Sequence, residues 1–238
     1  MANSYFHFKQ FTVRQEKAAF RVTTDSVLLG TWADFKGDKR IIDIGTGTGL
    51  LALMAAQRCE AHITALEPDL ISFEEAQTNV GNSPWPSGIS LINCELQDFV
   101  PDAGILFDTV ITNPPFFRSS LLNPDIRKAK ARHDFSLQPE EVLMAADRLL
   151  TRDGKLQLVL PLTEGMLFLK RAESFGFFCR RILRVKSNPT GAVRRVLMTL
   201  GRGPTATPED STLVIESGAR HGYSDEYIAL TKEFYLNM

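Results

Sequence analysis

Three glycines at alternate positions, Gly45, Gly47 and Gly49, separate an apolar run, Arg40-Ile41-Ile42-Asp43-Ile44, from a helix-like one beginning at Leu50. A glycine turn between a buried strand and a helix opens the repeating unit of a parallel sheet. The turn sits at the carboxyl end of the strand, where such sheets bind nucleotide-like ligands. Apolar runs then alternate with helical patterns. The spacing predicts strands over 40–44, 62–66, 89–93, 109–112 and 155–160, and helices over 50–58, 71–79, 138–150 and 164–175. This alternation is the signature of an α/β fold with helices on both faces of a mostly parallel sheet. Two further strands, 180–186 and 194–200, follow one another without a helix and so predict an antiparallel pair. Asp153-Gly154 reads as a turn, 201–211 as a loop, 213–215 as a short strand, and 224–235 as a helix capped by Ser224.

With 238 residues, 44% hydrophobic content and a net charge of −1, the chain has enough apolar material for one well-filled domain and lacks a disordered composition. The start has no long apolar core of a secretion signal, and no stretch approaches the roughly 18 apolar residues of a membrane span. The expectation is a cytoplasmic, monomeric protein without membrane attachment. Cys59, Cys94 and Cys179 are odd in number and far apart, and the four histidines have no paired ligand spacing, so neither a disulfide framework nor a metal site is expected. The near-neutral charge is unevenly spread. Arg118, Arg127, Lys128, Lys130 and Arg132 form one basic group; Arg180, Arg181, Arg184, Lys186, Arg194 and Arg195 form another, read as a solvated face.

The glycine spacing discriminates between ligands. A dinucleotide fingerprint needs a glycine at the sixth position of Gly-x-Gly-x-x-Gly, where this chain has Leu50. Further on, after the predicted strand at 109–112, stands Asn113-Pro114-Pro115-Phe116. This tetrapeptide suits chemistry on a planar nitrogen. An exocyclic amine or amide is a poor nucleophile because its lone pair is delocalised, and an enzyme must hold both its hydrogens and favour pyramidal geometry. The Asn113 carboxamide oxygen and the Pro114 carbonyl can accept those hydrogens, while the prolines fix φ and remove competing N–H donors. Phe116 can stack on the ring that carries the amine, and Phe117 can line the same pocket.

Asp43-x-Gly45-x-Gly47-x-Gly49 resembles motif I of the class I S-adenosylmethionine-dependent methyltransferases. The resemblance implies a Rossmann-like, seven-stranded, mostly parallel sheet with an antiparallel strand, and S-adenosyl-L-methionine as cofactor. It also implies that Glu67, at the end of the second strand, accepts from the ribose hydroxyls, and that an acid after the third strand serves the adenine. Glu95 and Asp98 are both candidates, with Glu95 favoured as the nearer to the strand end. Asp43 is expected to order the glycine loop through its backbone N–H groups.

A closer resemblance rests on Phe8-Lys9-Gln10-Phe11, the run from Arg21 to Trp32, Asn82-Ser83-Pro84-Trp85 and the tail from Tyr223 to Leu236. Together with the two motifs, these are similar to the bacterial tRNA1(Val) adenine N6-methyltransferases. That resemblance implies methylation of the adenosine immediately 3′ of the anticodon in a valine tRNA. It divides the single domain into an extension, 1–35, that closes the cofactor site, and a class I core, 36–238. Within the extension, Thr24 and Asp25 belong to the segment closing over the methionine end of the cofactor. Thr23 to Asp25 also fit a helix N-cap before Val27. The target base would be extruded onto Phe116, with the basic 118–132 segment on flanking phosphates of the anticodon stem-loop. Other planar nitrogens remain open: guanine N2 or adenine in ribosomal RNA, adenine in DNA, or a protein glutamine amide.

Overall fold

The computed structural model of the protein describes residues 3–114, 137–218 and 222–238. Its centre is an eight-stranded sheet. Numbered along the chain, the strands are β3 (Arg40–Ile44), β4 (His62–Leu66), β5 (Ile89–Ile92), β6 (Phe107–Thr112), β7 (Leu150–Pro161), β8 (Phe177–Lys186), β9 (Val193–Arg202) and β10 (Glu209–Val214), after a separate hairpin of β1 (Tyr5–His7) and β2 (Thr12–Arg14). The order across the sheet is β10-β8-β9-β7-β6-β3-β4-β5. Only β9 runs against the others, lying between β7 and β8 and antiparallel to both. The expected antiparallel pair is therefore β8 and β9.

The seven strands that the resemblance implies are one fewer than the eight observed, and the short strand predicted at 213–215 falls in the edge strand β10. β10 pairs in parallel with β8 from Glu209↔Arg181 to Val214↔Lys186, four residues earlier than the apolar signal at Leu213. Its outer residues are exposed and polar because it is an edge strand, where charge discourages pairing with another chain. Ion pairs Arg181–Glu209 and Arg184–Asp210 run across that edge. A second difference lies at Asp153-Gly154, which is not a turn: β7 runs straight through it. There the register with β6 jumps from Phe107↔Leu150 to Thr109↔Lys155. A Cβ on Gly154 would come within 3.1 Å of the Phe107 carbonyl oxygen, so the glycine marks an irregular bulge.

Helices cover both faces. On one lie α1 (Thr24–Trp32), α2 (Leu50–Arg58) and α6 (Asp225–Thr231). Their apolar residues join Ile41, Ile63, Val159 and Leu197 in one core. On the other lie α4 (Pro139–Leu149) and α5 (Leu162–Ser174), over Ile42, Val110, Leu158 and Val196. The split follows from alternate side chains of each strand pointing to opposite faces. α1 crosses α2 at Gly30, where a Cβ would fall 2.4 Å from the Met54 sulfur. α6 is shorter than expected, because the chain turns at Thr231 and Tyr235 bridges to Phe8.

α3 (Leu70–Gly81) presents Ser72, Glu75 and Asn79 to the segment that follows β2. The Glu75 carboxylate accepts from the backbone N–H groups of Glu16 (2.8 Å), Lys17 (3.2 Å) and Ala18 (2.7 Å). Ser72 Oγ accepts from Ala19 N. Asn79 accepts from Arg14 N and donates to both Arg14 O and Thr48 O. One helix face therefore holds the N-terminal segment and the glycine loop together.

Candidate active site

β3 and β6 are adjacent and parallel, with Asp43 opposite Ile111. Their chains leave the sheet side by side, at the point where strand order reverses and open α/β sheets form a crevice. Thr112 Oγ1 donates to Ile44 O at 2.8 Å, fastening the last residue of β6 to the last of β3. Gly45 and Asn113, the next residues on each strand, are thereby set next to one another.

All three loop glycines have positive φ, 72° at Gly45, 57° at Gly47 and 83° at Gly49, values that side chains resist. A Cβ at Gly45 or Gly47 would meet nothing within 4 Å, so the loop lines open space with bare backbone. Gly49 faces the opposite way, toward Ala76 and Val80 of α3. The residues present thus fit a ligand that approaches the loop closely.

Glu67 is almost fully buried at the end of β4. Its Oε2 accepts from Gly47 N at 2.7 Å and its Oε1 from Asp69 N at 3.0 Å. Burial raises its pKa, and the two N–H bonds oppose that rise. Each oxygen retains a further lone pair for a hydroxyl. Asn93 holds this turn from below, its Nδ2 donating to the carbonyls of Glu67 and Pro68. Glu95 and Asp98 both lie exposed in one turn closed by Asp98 N to Glu95 O. They stand together, and either is within the same stretch of surface. Burial and the charge of Asp98 raise the pKa of Glu95.

Asp43 is wholly buried beneath the loop. It engages the loop through the Thr46 hydroxyl, which donates to Oδ2, rather than through the loop N–H groups. Its Oδ1 meets no donor among the described residues. Burial pushes its pKa up to about 7.

Asn113 is half-buried and Pro114 buried. The Asn113 Nδ2 donates to Ser26 Oγ at 2.8 Å. Ser26 lies in the first turn of α1, whose N-cap is Thr23, the Thr23 side chain accepting from Ser26 N. Thr24 is exposed at the start of that helix. Asp25 Oδ2 accepts from Arg195 Nε at 2.6 Å, so the acid expected at the cofactor is engaged by a cation from β9. Arg195 was expected on a solvated face. β9 is reversed, and its first residues lie at the carboxyl edge of the sheet, where β6 leads into Asn113 and Pro114. Pro115, Phe116, Phe117, Arg118, Arg127, Lys128, Lys130 and Arg132 lie outside the described residues.

Ser26, Asn79, Asn93 and Arg195 carry no sequence signal for the contacts they make. Each acts across dozens of residues, and only Ser26 neighbours a motif. Among the described residues, no group of His, Cys, Asp or Glu side chains is arranged to hold a metal. No helix among them is long and apolar enough to cross a membrane.

The methyltransferase small domain family matches residues 21–169. A tRNA1(Val) (adenine(37)-N6)-methyltransferase of Parabacteroides distasonis is 40% identical over 240 residues, with all of both chains covered. The chain belongs to the tRNA1(Val) (adenine(37)-N6)-methyltransferase family. Another member, from Phocaeicola vulgatus, is 42% identical over 239 residues, again covering both chains in full. Among solved structures, a predicted O-methyltransferase from Agrobacterium tumefaciens superposes with a TM-score of 0.66 at 20% identity, covering 88% of this chain and 96% of its own. That similarity shows the Rossmann-like methyltransferase fold. Family and fold make the protein a methyltransferase and imply use of S-adenosylmethionine.

Proposed function

We propose that this protein methylates N6 of adenine-37 in tRNA1(Val), acting as a cytoplasmic monomer in which residues 1–35 close the cofactor site over the core of 36–238. The observation that carries the reading is Asn113, which leaves β6 beside the glycine loop with its Nδ2 already bound to Ser26. Its Oδ1 is then the end available to an incoming amine.

Gly45, Gly47 and Gly49 would hold the methionine part of the cofactor by backbone, Glu67 its ribose, and Glu95 or Asp98 its adenine, with Thr24 and Asp25 bordering the methionine end. When bound, S-adenosylmethionine supplies a methyl group on a sulfonium, a good leaving group, so positioning carries most of the catalysis. Asn113 Oδ1 and the Pro114 carbonyl accept the two N–H hydrogens of the target amine and favour pyramidal nitrogen. Pro115 keeps a competing donor away. Phe116 stacks the extruded base, with Phe117 beside it. Arg118, Arg127, Lys128, Lys130 and Arg132 are assigned to phosphates of the anticodon stem-loop.

The test is methyl transfer from labelled cofactor into total tRNA of a strain lacking the endogenous enzyme, followed by nucleoside analysis. Label is expected in N6-methyladenosine of a valine tRNA. Label elsewhere would keep the chemistry and replace the substrate. Asn113→Ala is expected to abolish turnover with cofactor affinity, read by calorimetry, almost unchanged. Full activity in that variant would remove Asn113 from the mechanism.

A further inference from the structure

A carboxamide has two ends of nearly equal size and opposite chemistry, an acceptor oxygen and a donor NH2. An asparagine meant to accept hydrogens from an amine works in only one of its two orientations. Turned over, it would point its own hydrogens at those of the substrate. Packing discriminates poorly between the two, so hydrogen bonding must decide.

At Asn113 the deciding contact comes from α1. Nδ2 donates to Ser26 Oγ at 2.8 Å. The Ser26 hydroxyl in turn lies 3.0 Å from Thr23 Oγ1, a pair in which either oxygen can donate, and Thr23 Oγ1 accepts from Ser26 N at 3.2 Å. With the Ser26 proton directed to Thr23, the Ser26 oxygen offers lone pairs to Asn113, and an acceptor selects the NH2 end of the amide. The platform is fixed on two sides. The Asp25–Arg195 ion pair, 2.6 Å long, ties the same helical turn to β9. At Gly30 the helix closes against Met54 of α2 with no room for a side chain.

We propose that Ser26 is a positioning residue, whose hydroxyl holds Asn113 with Oδ1 turned toward the substrate amine. The proposal rests on the reading of Asn113 given above. It assigns to the first turn of α1 a role in the chemical step, besides any it has beside the cofactor. Ser26 is half-exposed, so removing its hydroxyl leaves no buried cavity, and its effect falls on turnover rather than folding.

The test compares Ser26→Ala, Ser26→Thr and Asn113→Ala in the full chain. The probes are S-adenosylmethionine and an unmodified transcript of tRNA1(Val). Measured are kcat, KM for the transcript, cofactor Kd and melting temperature. For Ser26→Ala, kcat is expected to fall roughly 10- to 100-fold, the scale of a misplaced catalytic group. KM, Kd and melting temperature should stay near wild type, and Ser26→Thr should recover most of the loss by restoring a hydroxyl. Three results would overturn the proposal: unchanged kcat in Ser26→Ala, a loss seen in KM or Kd alone, or a loss that Ser26→Thr fails to repair. In each case an inactive Asn113→Ala leaves the reading of Asn113 standing. An active Asn113→Ala would remove both together.

Discussion

Asp43 places a carboxyl group in the middle of the fold, near the end of β3, with the Thr46 hydroxyl donating to one oxygen. Burial raises its pKa from 3.8 to about 7. Because the folded state holds this proton more tightly than the unfolded chain, the stability that Asp43 contributes is fully present below about pH 4. It falls as pH rises toward 7, each unit of that interval costing about 1.4 kcal/mol at most. Glu67, also raised by burial, has the same sign. Urea unfolding at pH 5 and pH 8 without cofactor should therefore show Asp43→Asn gaining on the wild type at the higher pH. An identical pH slope in the two proteins would mean that Asp43 ionises in the folded state as freely as in the unfolded one. The same glycine-loop acid was legible in the sequence because motif and strand end coincide. The hydroxyl that satisfies it was legible only as a neighbour, since Thr46 lies three residues away in the loop. Ser26 and Asn113, 87 residues apart, could not be paired by any local pattern.

At the scale of elements, α3 is where a sequence reading stops short of the architecture. Its apolar spacing marks a helix, and the structure has one. What the spacing does not reveal is that the polar face is buried, with Glu75 and Asn79 nearly inaccessible to solvent. Asn79 makes three hydrogen bonds across two segments, and losing them should cost roughly 2 kcal/mol or more. In Asn79→Ala, the N-terminal segment should detach first, and trypsin should cut after Lys17 and Arg21 well before the core. Wild-type resistance at those bonds would show that Glu75 and Ser72 suffice. β3, β4 and α2 begin and end where the apolar periodicity predicts, because burial on both faces leaves little latitude. β10 is legible only from Leu213 onward for the converse reason: Glu209 to Thr212 satisfy backbone partners on β8 while their side chains face water.

For the molecule as a whole, the reversed strand β9 makes the far half of the chain part of the near half's structure. It joins β7 to β8 and carries Arg195 back to Asp25. Residues 21–169, the stretch matched by the methyltransferase small domain family, contain the glycine loop, Glu67 and Asn113 but end before β9. A fragment cut to those residues would keep the glycine loop, Glu67 and the Asn113-Pro114-Pro115-Phe116 motif. It would also expose the backbone edge of β7 alongside Leu156, Leu158, Val159 and Leu160, all fully buried in the intact sheet. An uncovered apolar strand edge recruits other chains. Such a fragment should emerge from size-exclusion chromatography as aggregate, and a soluble monodisperse species would contradict this. The segment most recognisable as an enzyme is thus not a transplantable module: its solubility is supplied by a strand whose own sequence bears no mark of the reaction.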